Sequence, residues 1–325
     1  MKKLLKIFLT MIRAVVHSEL KEFYRSASKD RDAMQKNFAQ IQKQIANLNV
    51  PKLHLDDHGW GVFSQTDEDG ILHFLTTTLN LSQPKFLELG AGNFSECNFR
   101  GLVETGNGSG VFVDARKDLI HTLRRTVASY LGPALAVETY ITPDNVEQLV
   151  SGARKELGGL DLLSIDLDGN DYWVAERVDF SGIKVVMMEV NPGFGELSTV
   201  SVPRNDAFDR GSAHFSHLYW GTSISAYRRL MSARGFTLVG LSQKRFNAFF
   251  VTNEEVERSP VLGRMAEKLV VDFSRWRVRE GRDRAGQLTY ASSSEALRGF
   301  PDLPLVDVTT GATISIESLQ LPASG

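Results

Sequence analysis

The sequence has little cysteine, little net charge and no long apolar run. Its 325 residues include one cysteine, Cys97, which excludes an intrachain disulfide and a cysteine-rich zinc site. The formal net charge is -2, so no overall basic field indicates a nucleic-acid partner. With 42% hydrophobic and 23% charged residues, the composition excludes collagen-like, disordered and polytopic membrane proteins. A chain with so little cysteine fits a reducing compartment, and we expect it in the cytoplasm.

Residues 1–50 differ from the rest in charge and in pattern. Residues 1–17 contain no acidic side chain, and on a helix their basic and apolar side chains fall on opposite faces. This pattern favours contact with a membrane surface, here the inner face of the membrane. The alternatives are a helix packed on protein and a secretory signal. The stretch is too short and too interrupted to span a bilayer.

From residue 20 to residue 48, apolar positions recur at alternating spacings of four and three. These positions are Leu20, Tyr24, Ala27, Arg31, Met34, Phe38, Ile41, Ile45 and Leu48, and only Arg31 is charged. A sustained repeat of this kind is typical of coiled coils. We therefore expect a homo-oligomer joined through residues 20–48, with a long helix packed on its own domain as the alternative. Pro51 should end the helix.

Residues 60–253 alternate short apolar runs with helical patterns, which predicts a parallel sheet covered by helices. The last two runs, residues 237–241 and 248–252, are too close for a helical crossover and should pair antiparallel. A mostly parallel sheet with an antiparallel last strand is the layout of class I methyltransferases. We predict this α/β, Rossmann-like fold for residues 60–253, with residues 1–50 as a helical, coiled-coil extension.

Residues 254–325 form the third predicted region. Residues 254–282 have the pattern of one charged amphipathic helix that packs on the domain. The remainder is rich in glycine, serine and proline, which predicts an irregular tail. Two short apolar pieces, residues 305–308 and 313–316, are candidates for small strands. This region contains no motif that indicates chemistry.

A glycine-containing turn follows the first apolar run of the central domain. It contains Glu88, Gly90, Gly92 and Asn93. Glycines let a ligand approach the backbone, and the helix that follows offers free N–H groups. A dinucleotide fingerprint would need glycine at position 95, where Ser95 stands. The acidic Glu88 favours S-adenosylmethionine, whose amino-acid part carries a cation, and the alternative is a tight turn without a ligand.

Acidic residues end three further strands. Asp114 ends the second run, where a carboxylate can bind the ribose hydroxyls of a nucleotide cofactor or cap the next helix. Asp166 and Asp168 end the fourth run, and Glu189 and Asn191 end the fifth. Because parallel strands present their carboxyl ends at one edge, we expect these side chains to meet there.

Two interpretations of this acidic edge stay open. In the first, Asp166, Glu189 and Asn191 hold a divalent cation such as Mg²⁺, which orients a substrate hydroxyl. In the second, one carboxylate is a general base and the others accept hydrogen bonds from backbone amides. Asp171 is expected to serve as a helix cap.

The segment between the fifth strand and the next helix, residues 192–219, has no clear period. Loops of this length inside a compact domain often bind substrate. The segment is rich in histidine and aromatic residues, which suit a sugar or a ring. His217 is a candidate base because histidine titrates near neutrality. A solvated loop with packed aromatic side chains is the alternative.

The ordered series of motifs between residues 63 and 252 resembles that of the FkbM-type methyltransferases. The matching pieces are Ser64-Gln65, Glu68-Asp69-Gly70, Phe86 to Gly92, Asn98, Leu163 to Tyr172, Met188 to Asn191, Trp220 to Ser223 and Asn247 to Val251. The run Asp168-Gly169-Asn170-Asp171 is the most specific of them. One departure is Asp114-Ala115-Arg116, where many members of that family have Glu-Pro.

The resemblance implies an S-adenosylmethionine-dependent O-methyltransferase with a sugar, glycan or related small-molecule hydroxyl as acceptor. The cofactor residues would be Glu88, Gly90, Gly92, Asn93, Asp114 and Asp166. The catalytic residues would be Asp166, Asp168, Glu189 and His217. Two alternatives stay open, an inactive member that only binds partners and a glycosyltransferase that uses the Asp166-Leu-Asp168 motif.

Overall fold

The computed structural model describes residues 31–44, 46, 52–92, 94, 97–126, 132–273, 281–290, 297 and 299–319. The helix predicted for residues 1–17 and the cofactor residue Asn93 lie outside these ranges. The chain divides into two compact units, Met1–Leu48 and Asn49–Gly325. None of the helices in the described ranges has the length and apolar content needed to cross a membrane.

In the first unit, residues 31–44 form helix α1. Four predicted coiled-coil positions lie on it, Arg31 and three apolar residues. The apolar side chains are exposed: Met34 by 72%, Phe38 by 50% and Ile41 by 50%. The helical conformation predicted for this stretch is confirmed, and oligomerisation through it stays a prediction.

The second unit alternates strands and helices as predicted. Its strands are β1 Lys85–Leu89, β2 Ser109–Asp114, β3 Ala134–Glu138, β4 Leu162–Ile165, β5 Val185–Glu189, β6 Val200–Ser201, β7 Phe236–Leu241, β8 Asn247–Thr252, β9 Pro304–Asp307 and β10 Thr313–Ser315. Its helices are α2 Glu68–Thr78, α3 Arg100–Glu104, α4 Lys117–Thr126, α5 Val146–Leu157, α6 Asp171–Ala175, α7 Arg210–Ala213, α8 Ile224–Ala233, α9 Asn253–Arg258 and α10 Pro260–Lys268.

Seven of the described strands form one sheet in the order β3-β2-β1-β4-β5-β8-β7. The five strands from β3 to β5 in this order pair parallel, whereas β8 pairs antiparallel with both β5 and β7. Helical crossovers permit the parallel pairs, and the short turn between β7 and β8 permits only an antiparallel pair. The predicted mostly parallel α/β sheet of the class I methyltransferase type is confirmed.

Both faces of this sheet are buried, which explains the nearly continuous apolar runs of its strands. Successive side chains of β1 point to opposite faces, so Phe86 joins one core and Leu87 the other. Helices α2, α3 and α10 cover the first face, and α5, α6 and α8 cover the second. The acidic strand ends therefore emerge at the rim of a rigid, two-sided core.

A second, three-stranded sheet joins the C-terminal region to the segment after β5. Its order is β10-β9-β6, and both pairs are antiparallel. A small core that includes Phe194, Leu218, Leu305 and Ile316 lies against it. The two predicted apolar pieces thus form strands, and they hold residues 194–219 in place.

The single helix predicted for residues 254–282 is wrong. The structure has α9, which ends at Arg258, and α10, which begins at Pro260. Proline has no N–H group to continue the first helix and suits the first position of a new one. The Ser259 hydroxyl caps the second helix by accepting a hydrogen bond from the Leu262 N–H at 3.5 Å.

Candidate active site

The turn after β1 passes unusually close to the end of β4. Gly90 has φ +92°, and a Cβ there would lie 1.7 Å from the Asp166 carbonyl oxygen. Only glycine fits this backbone and this contact. Its N–H group donates to the Val113 carbonyl at 2.9 Å, which ties the turn to β2 as well.

Glu88 lies on β1 beneath this turn, and its carboxylate binds backbone. Its Oε1 accepts a hydrogen bond from the Asn98 N–H at 2.7 Å, and its Oε2 accepts one from the Phe99 N–H at 2.9 Å. Burial raises the pKa of Glu88 to about 8. Glu88 therefore holds the chain segment that leads into α3. It also lines a cavity at this edge of the sheet.

Asp114, at the end of β2, is held in the same way. Its Oδ2 accepts from the Gly92 N–H and its Oδ1 from the Arg116 N–H, both at 2.8 Å. These bonds fix the glycine turn against β2. The remaining acceptor capacity of the carboxylate faces a cavity, as a ribose-binding group requires.

Asp166 and Glu189 meet because of strand register. Ile165 of β4 pairs with Met188 of β5, and one further residue along each parallel strand places the two acids side by side on one face. Glu189 is buried, and its Oε2 has no hydrogen-bond partner among the described residues. Burial, followed by neighbouring carboxylates, raises the pKa of both groups. The Asn98 Nδ2 lies 3.4 Å from Asp166 Oδ2.

Asp171 lies near this pair, and its carboxylate binds backbone N–H groups. Asp171 accepts from the Leu167 N–H at 2.7 Å and from the Gly169 N–H at 2.9 Å, which closes the loop after β4. It therefore stabilises a loop more than it caps a helix. Burial raises its pKa to about 7.

The predicted metal ligand Asn191 is also engaged by backbone. Its Nδ2 donates to the carbonyls of Leu218 at 3.1 Å and Trp220 at 2.8 Å, and its Oδ1 accepts from the Gly193 N–H at 2.8 Å. Within the described ranges, no group of three acidic, histidine or cysteine side chains is arranged to hold a metal. These contacts do not support the Mg²⁺ site of Asp166, Glu189 and Asn191, which stays a prediction.

Asp168 follows β4 in a left-handed conformation, with φ +55°. Its Oδ1 accepts a hydrogen bond from Arg210 Nη1 at 2.8 Å. Arg210 also donates from Nε to the His217 carbonyl at 2.9 Å, and its guanidinium lies 4.6 Å from the centre of the Trp220 ring. Sequence reasoning missed Arg210, because it lies in the aperiodic segment and only the folded chain brings it to β4.

These residues surround a cavity of about 470 Å³ at the carboxyl ends of β1, β4 and β5. It is lined by Gln65, Glu88, Gly90, Ala91, Gly92, Cys97, Asn98, Arg116, Asp166, Asp168, Glu189, Arg210 and Phe246. Six of the predicted site residues therefore come together here. His217 does not line it and contributes its carbonyl oxygen to Arg210 instead.

An adjoining cavity of about 290 Å³ continues over β2 and shares Gly90, Gly92, Arg116, Asp166 and Asp168 with the first. Its other walls include Asp114, Tyr140, Ile141, Leu167 and Phe208. The Asp114 carboxylate can bind hydroxyl groups, and apolar and aromatic walls lie beside it. This combination fits a nucleoside. The two cavities together have the size and position of a ligand site in an open α/β sheet.

Comparisons with known proteins give weak structural similarities. No protein-family model matches the chain, and a search of curated proteins found no match. A short-chain dehydrogenase from Mycobacterium smegmatis matches at TM-score 0.22 and 22% identity, over 27% of this chain and 40% of its own length. The chain thus spans less than half of that protein.

Two methyltransferase structures match at similar levels. An O-methyltransferase from Bacillus cereus, solved with SAH, matches at TM-score 0.33 and 13% identity, over 67% of this chain and 90% of its own. An O-methyltransferase family 2 protein from Planctomyces limnophilus, in complex with apigenin, matches at TM-score 0.30 and 12% identity, over 52% of this chain and 49% of its own. At TM-scores below 0.5, none of these similarities bears on activity.

Proposed function

We propose that the chain is an S-adenosylmethionine-dependent O-methyltransferase. The observation that carries this proposal is the Asp166–Glu189 pair, with a buried and unpartnered carboxylate oxygen at the cavity beside a glycine turn. An orphaned buried acceptor is costly unless a ligand brings a donor to it. The adjoining cavity, with its carboxylate and aromatic walls, is where a methyl donor would bind.

S-adenosylmethionine, when bound, supplies an electrophilic methyl group to an aligned nucleophile. The chain's own residues must then hold donor and acceptor in line and remove the acceptor proton. Gly90 and Gly92 allow close approach of the donor, and Asp114 binds its ribose. Glu189 Oε2 would accept the proton of the acceptor hydroxyl while the methyl group passes from the donor sulfur to the acceptor oxygen, with S-adenosylhomocysteine as the leaving group.

Asp166 makes Glu189 a suitable base for this step. Two nearby carboxyl groups do not readily ionise together, so the Asp166 carboxylate adds to the effect of burial and raises the pKa of Glu189. The direction of both pKa shifts agrees with this arrangement. Asp168, fixed by Arg210, borders the acceptor side without being buried.

We further propose a hydroxyl-rich acceptor such as a sugar or glycan. The wall of the larger cavity is dominated by carboxylate, amide and guanidinium groups, with few apolar side chains. Such a lining suits an acceptor that offers many hydroxyl donors and acceptors. The polar wall is the support for this choice of acceptor class.

The first test is calorimetric titration of the full chain with S-adenosylhomocysteine. We expect micromolar affinity, on the order of −8 kcal/mol. Transfer of a radiolabelled methyl group from S-adenosylmethionine to a panel of hexoses and disaccharides then tests the acceptor class. Absence of S-adenosylhomocysteine binding would overturn the proposal. Binding of nucleotide-sugars in its place would favour a glycosyltransferase, and cofactor binding without transfer to any acceptor would favour a binding protein.

We also propose that α1 joins two or more copies of the chain. Its exposed apolar stripe, Met34, Phe38 and Ile41, follows the heptad spacing and is flanked by uncharged side chains such as Asn37 and Gln42. A second copy offers the same stripe, so association would remove these apolar side chains from water.

The oligomer proposal is tested by light scattering of the full chain. Phe38→Lys should lower the mass toward that of one chain, 36.1 kDa, while Gln40→Lys, outside the stripe, should leave it unchanged. A native chain that is already monomeric would refute the proposal. The membrane contact predicted for residues 1–17 stays a separate prediction.

A further inference from the structure

The larger cavity is lined by four acidic side chains and two basic ones, Arg116 and Arg210, among the described residues. Arg210 is already balanced, because it donates to Asp168 at 2.8 Å and to the His217 carbonyl at 2.9 Å and lies over Trp220. Arg116 is placed differently and has no comparable role in the mechanism above.

Arg116 lies over the glycine turn. A Cβ added to Gly92 would sit 3.1 Å from Arg116 Nη2, and Arg116 lines both cavities. Its Nε forms an ion pair with Asp114 Oδ1 at 3.6 Å, a distance too long for a good hydrogen bond, and the side chain is 51% exposed. Both oxygens of Asp114 already accept backbone N–H groups. The guanidinium therefore faces the junction where a ligand would pass from the nucleoside cavity to the acidic one.

We infer that Arg116 binds the α-carboxylate of the methyl donor. The inference rests on the proposed function and names a recognition residue for it. The amino-acid part of the donor is a zwitterion, so it needs a cation near an acidic wall. Oxygens of Glu88 and Asp166, on the wall of the same cavity, can accept hydrogen bonds from its ammonium group. The planar guanidinium of Arg116 binds its carboxylate through paired N–H groups.

The resemblance to a known family does not supply this role, because many members have Glu-Pro where this chain has Asp114-Ala115-Arg116. The inference depends instead on the approach of Arg116 to Gly92. If Arg116 binds the carboxylate, ligands that lack a carboxylate should gain no affinity from it. 5′-Methylthioadenosine is such a ligand, because it keeps the nucleoside and lacks the amino-acid group.

The test compares two ligands on three full-length proteins by calorimetry. Arg116→Gln should weaken S-adenosylhomocysteine binding about 10- to 100-fold, as expected for loss of a charge-assisted pair. Its affinity for 5′-methylthioadenosine should stay within about twofold of the native value. Lys117→Gln removes the same charge from the next, exposed residue and should change neither affinity.

The outcomes separate this inference from the proposed function. An unchanged affinity of Arg116→Gln for S-adenosylhomocysteine, with the native chain binding it, would overturn the role of Arg116 alone. An equal loss for both ligands would also overturn it and would place Arg116 on the nucleoside. Failure of the native chain to bind either ligand would overturn the methyltransferase proposal itself. Thermal melting of the variants, expected within about 2 °C of native for half-exposed sites, excludes unfolding as the cause.

Discussion

The carboxylates on the two sides of the candidate site are bound in opposite ways. On the cofactor side, Glu88 and Asp114 each use both oxygens to accept backbone N–H groups. On the acceptor side, Glu189 has a buried oxygen with no partner in the described structure. Glu88 and Asp114 therefore fix the shape of the glycine turn, whereas Glu189 keeps an oxygen that can accept a hydrogen bond from a ligand.

This difference shows how one acidic edge can serve two purposes. A carboxylate that satisfies backbone amides stabilises the loop it holds, and the loop then presents its glycines to a ligand in fixed geometry. An unpartnered buried oxygen costs about 1–3 kcal/mol and is retained where function requires it. Variants on each side of the site would break this contrast, and the acceptor-side acids should show the largest effect.

Removing the acceptor-side acids should abolish transfer while the fold survives. We expect Asp166→Ala and Glu189→Gln each to lower the rate of methyl transfer by about 10²- to 10⁴-fold, the range typical of general acid–base groups. Glu189→Gln should bind S-adenosylhomocysteine normally, because its oxygen faces the acceptor. The measurement is radiolabelled methyl transfer to the best acceptor of the sugar panel. Unchanged rates in either purified variant would contradict its catalytic role.

Removing a cofactor-side acid should instead destabilise the protein. Glu88→Ala leaves the N–H groups of Asn98 and Phe99 without an acceptor, and we expect a loss of about 2–5 kcal/mol in the free energy of unfolding. Urea denaturation measures it, with Glu138→Ala, an exposed acid on β3, as the control. Equal midpoints for the two variants would show that the Glu88 bonds do not stabilise the fold.

The buried backbone-bound acids also predict a dependence of stability on pH. Burial raises the pKa of Glu88 from 4.5 to about 8 and that of Asp171 from 3.8 to about 7. At a pH between the ordinary and the raised pKa of each group, the folded chain holds a proton that the unfolded chain has released. The contribution of these groups to the free energy of unfolding therefore falls as pH rises from about 5 to about 8.

Urea titrations across this pH range test that sign, and Glu88→Gln should make the slope shallower because it removes one of the titrating groups. An identical slope in Glu88→Gln and native protein would contradict the raised pKa of Glu88.

The smallest effect is expected at Asp114, whose side chain is 14% exposed. Asp114→Asn keeps one acceptor oxygen and loses the other, so the free energy of unfolding should fall by about 1 kcal/mol. Affinity for S-adenosylhomocysteine should fall as well, since the ribose loses an acceptor. A greater loss of stability than in Glu88→Ala would reverse the ranking of the two turn-holding acids.

The adjacency of Asp166 and Glu189 was predictable from sequence, because both follow apolar runs of a parallel sheet. The choice between catalytic and structural acids was not. Asp171 and Asn191 occur in the same motifs, yet their side chains bind backbone groups that only the loop geometry brings within reach. Backbone-bound neighbours are what the interpretation with one general base expects, and both the base and the metal stay predictions.

The aperiodic segment illustrates the same limit. Sequence reasoning selected His217, and the structure instead places Arg210 in the cavity. The position of this segment depends on β6 pairing with β9 and on a core shared with residues from Leu305 to Leu319. These contacts join residues about 100 positions apart, and no local spacing in the sequence predicts them.

The sequence by itself determined the alternation of strands and helices in the large parallel sheet, the antiparallel last hairpin and the acidic edge of the sheet. These follow from local periodicity, connection length and the rule that parallel strands end together. Only the tertiary structure decided which carboxylates hold backbone amides, that Asn191 binds the carbonyls of Leu218 and Trp220, and that Arg116 and Arg210 reach the cavity. The reason is physical: a hydrogen bond depends on distances of a few tenths of an ångström between groups far apart in the chain, and those distances exist only after the loops have packed.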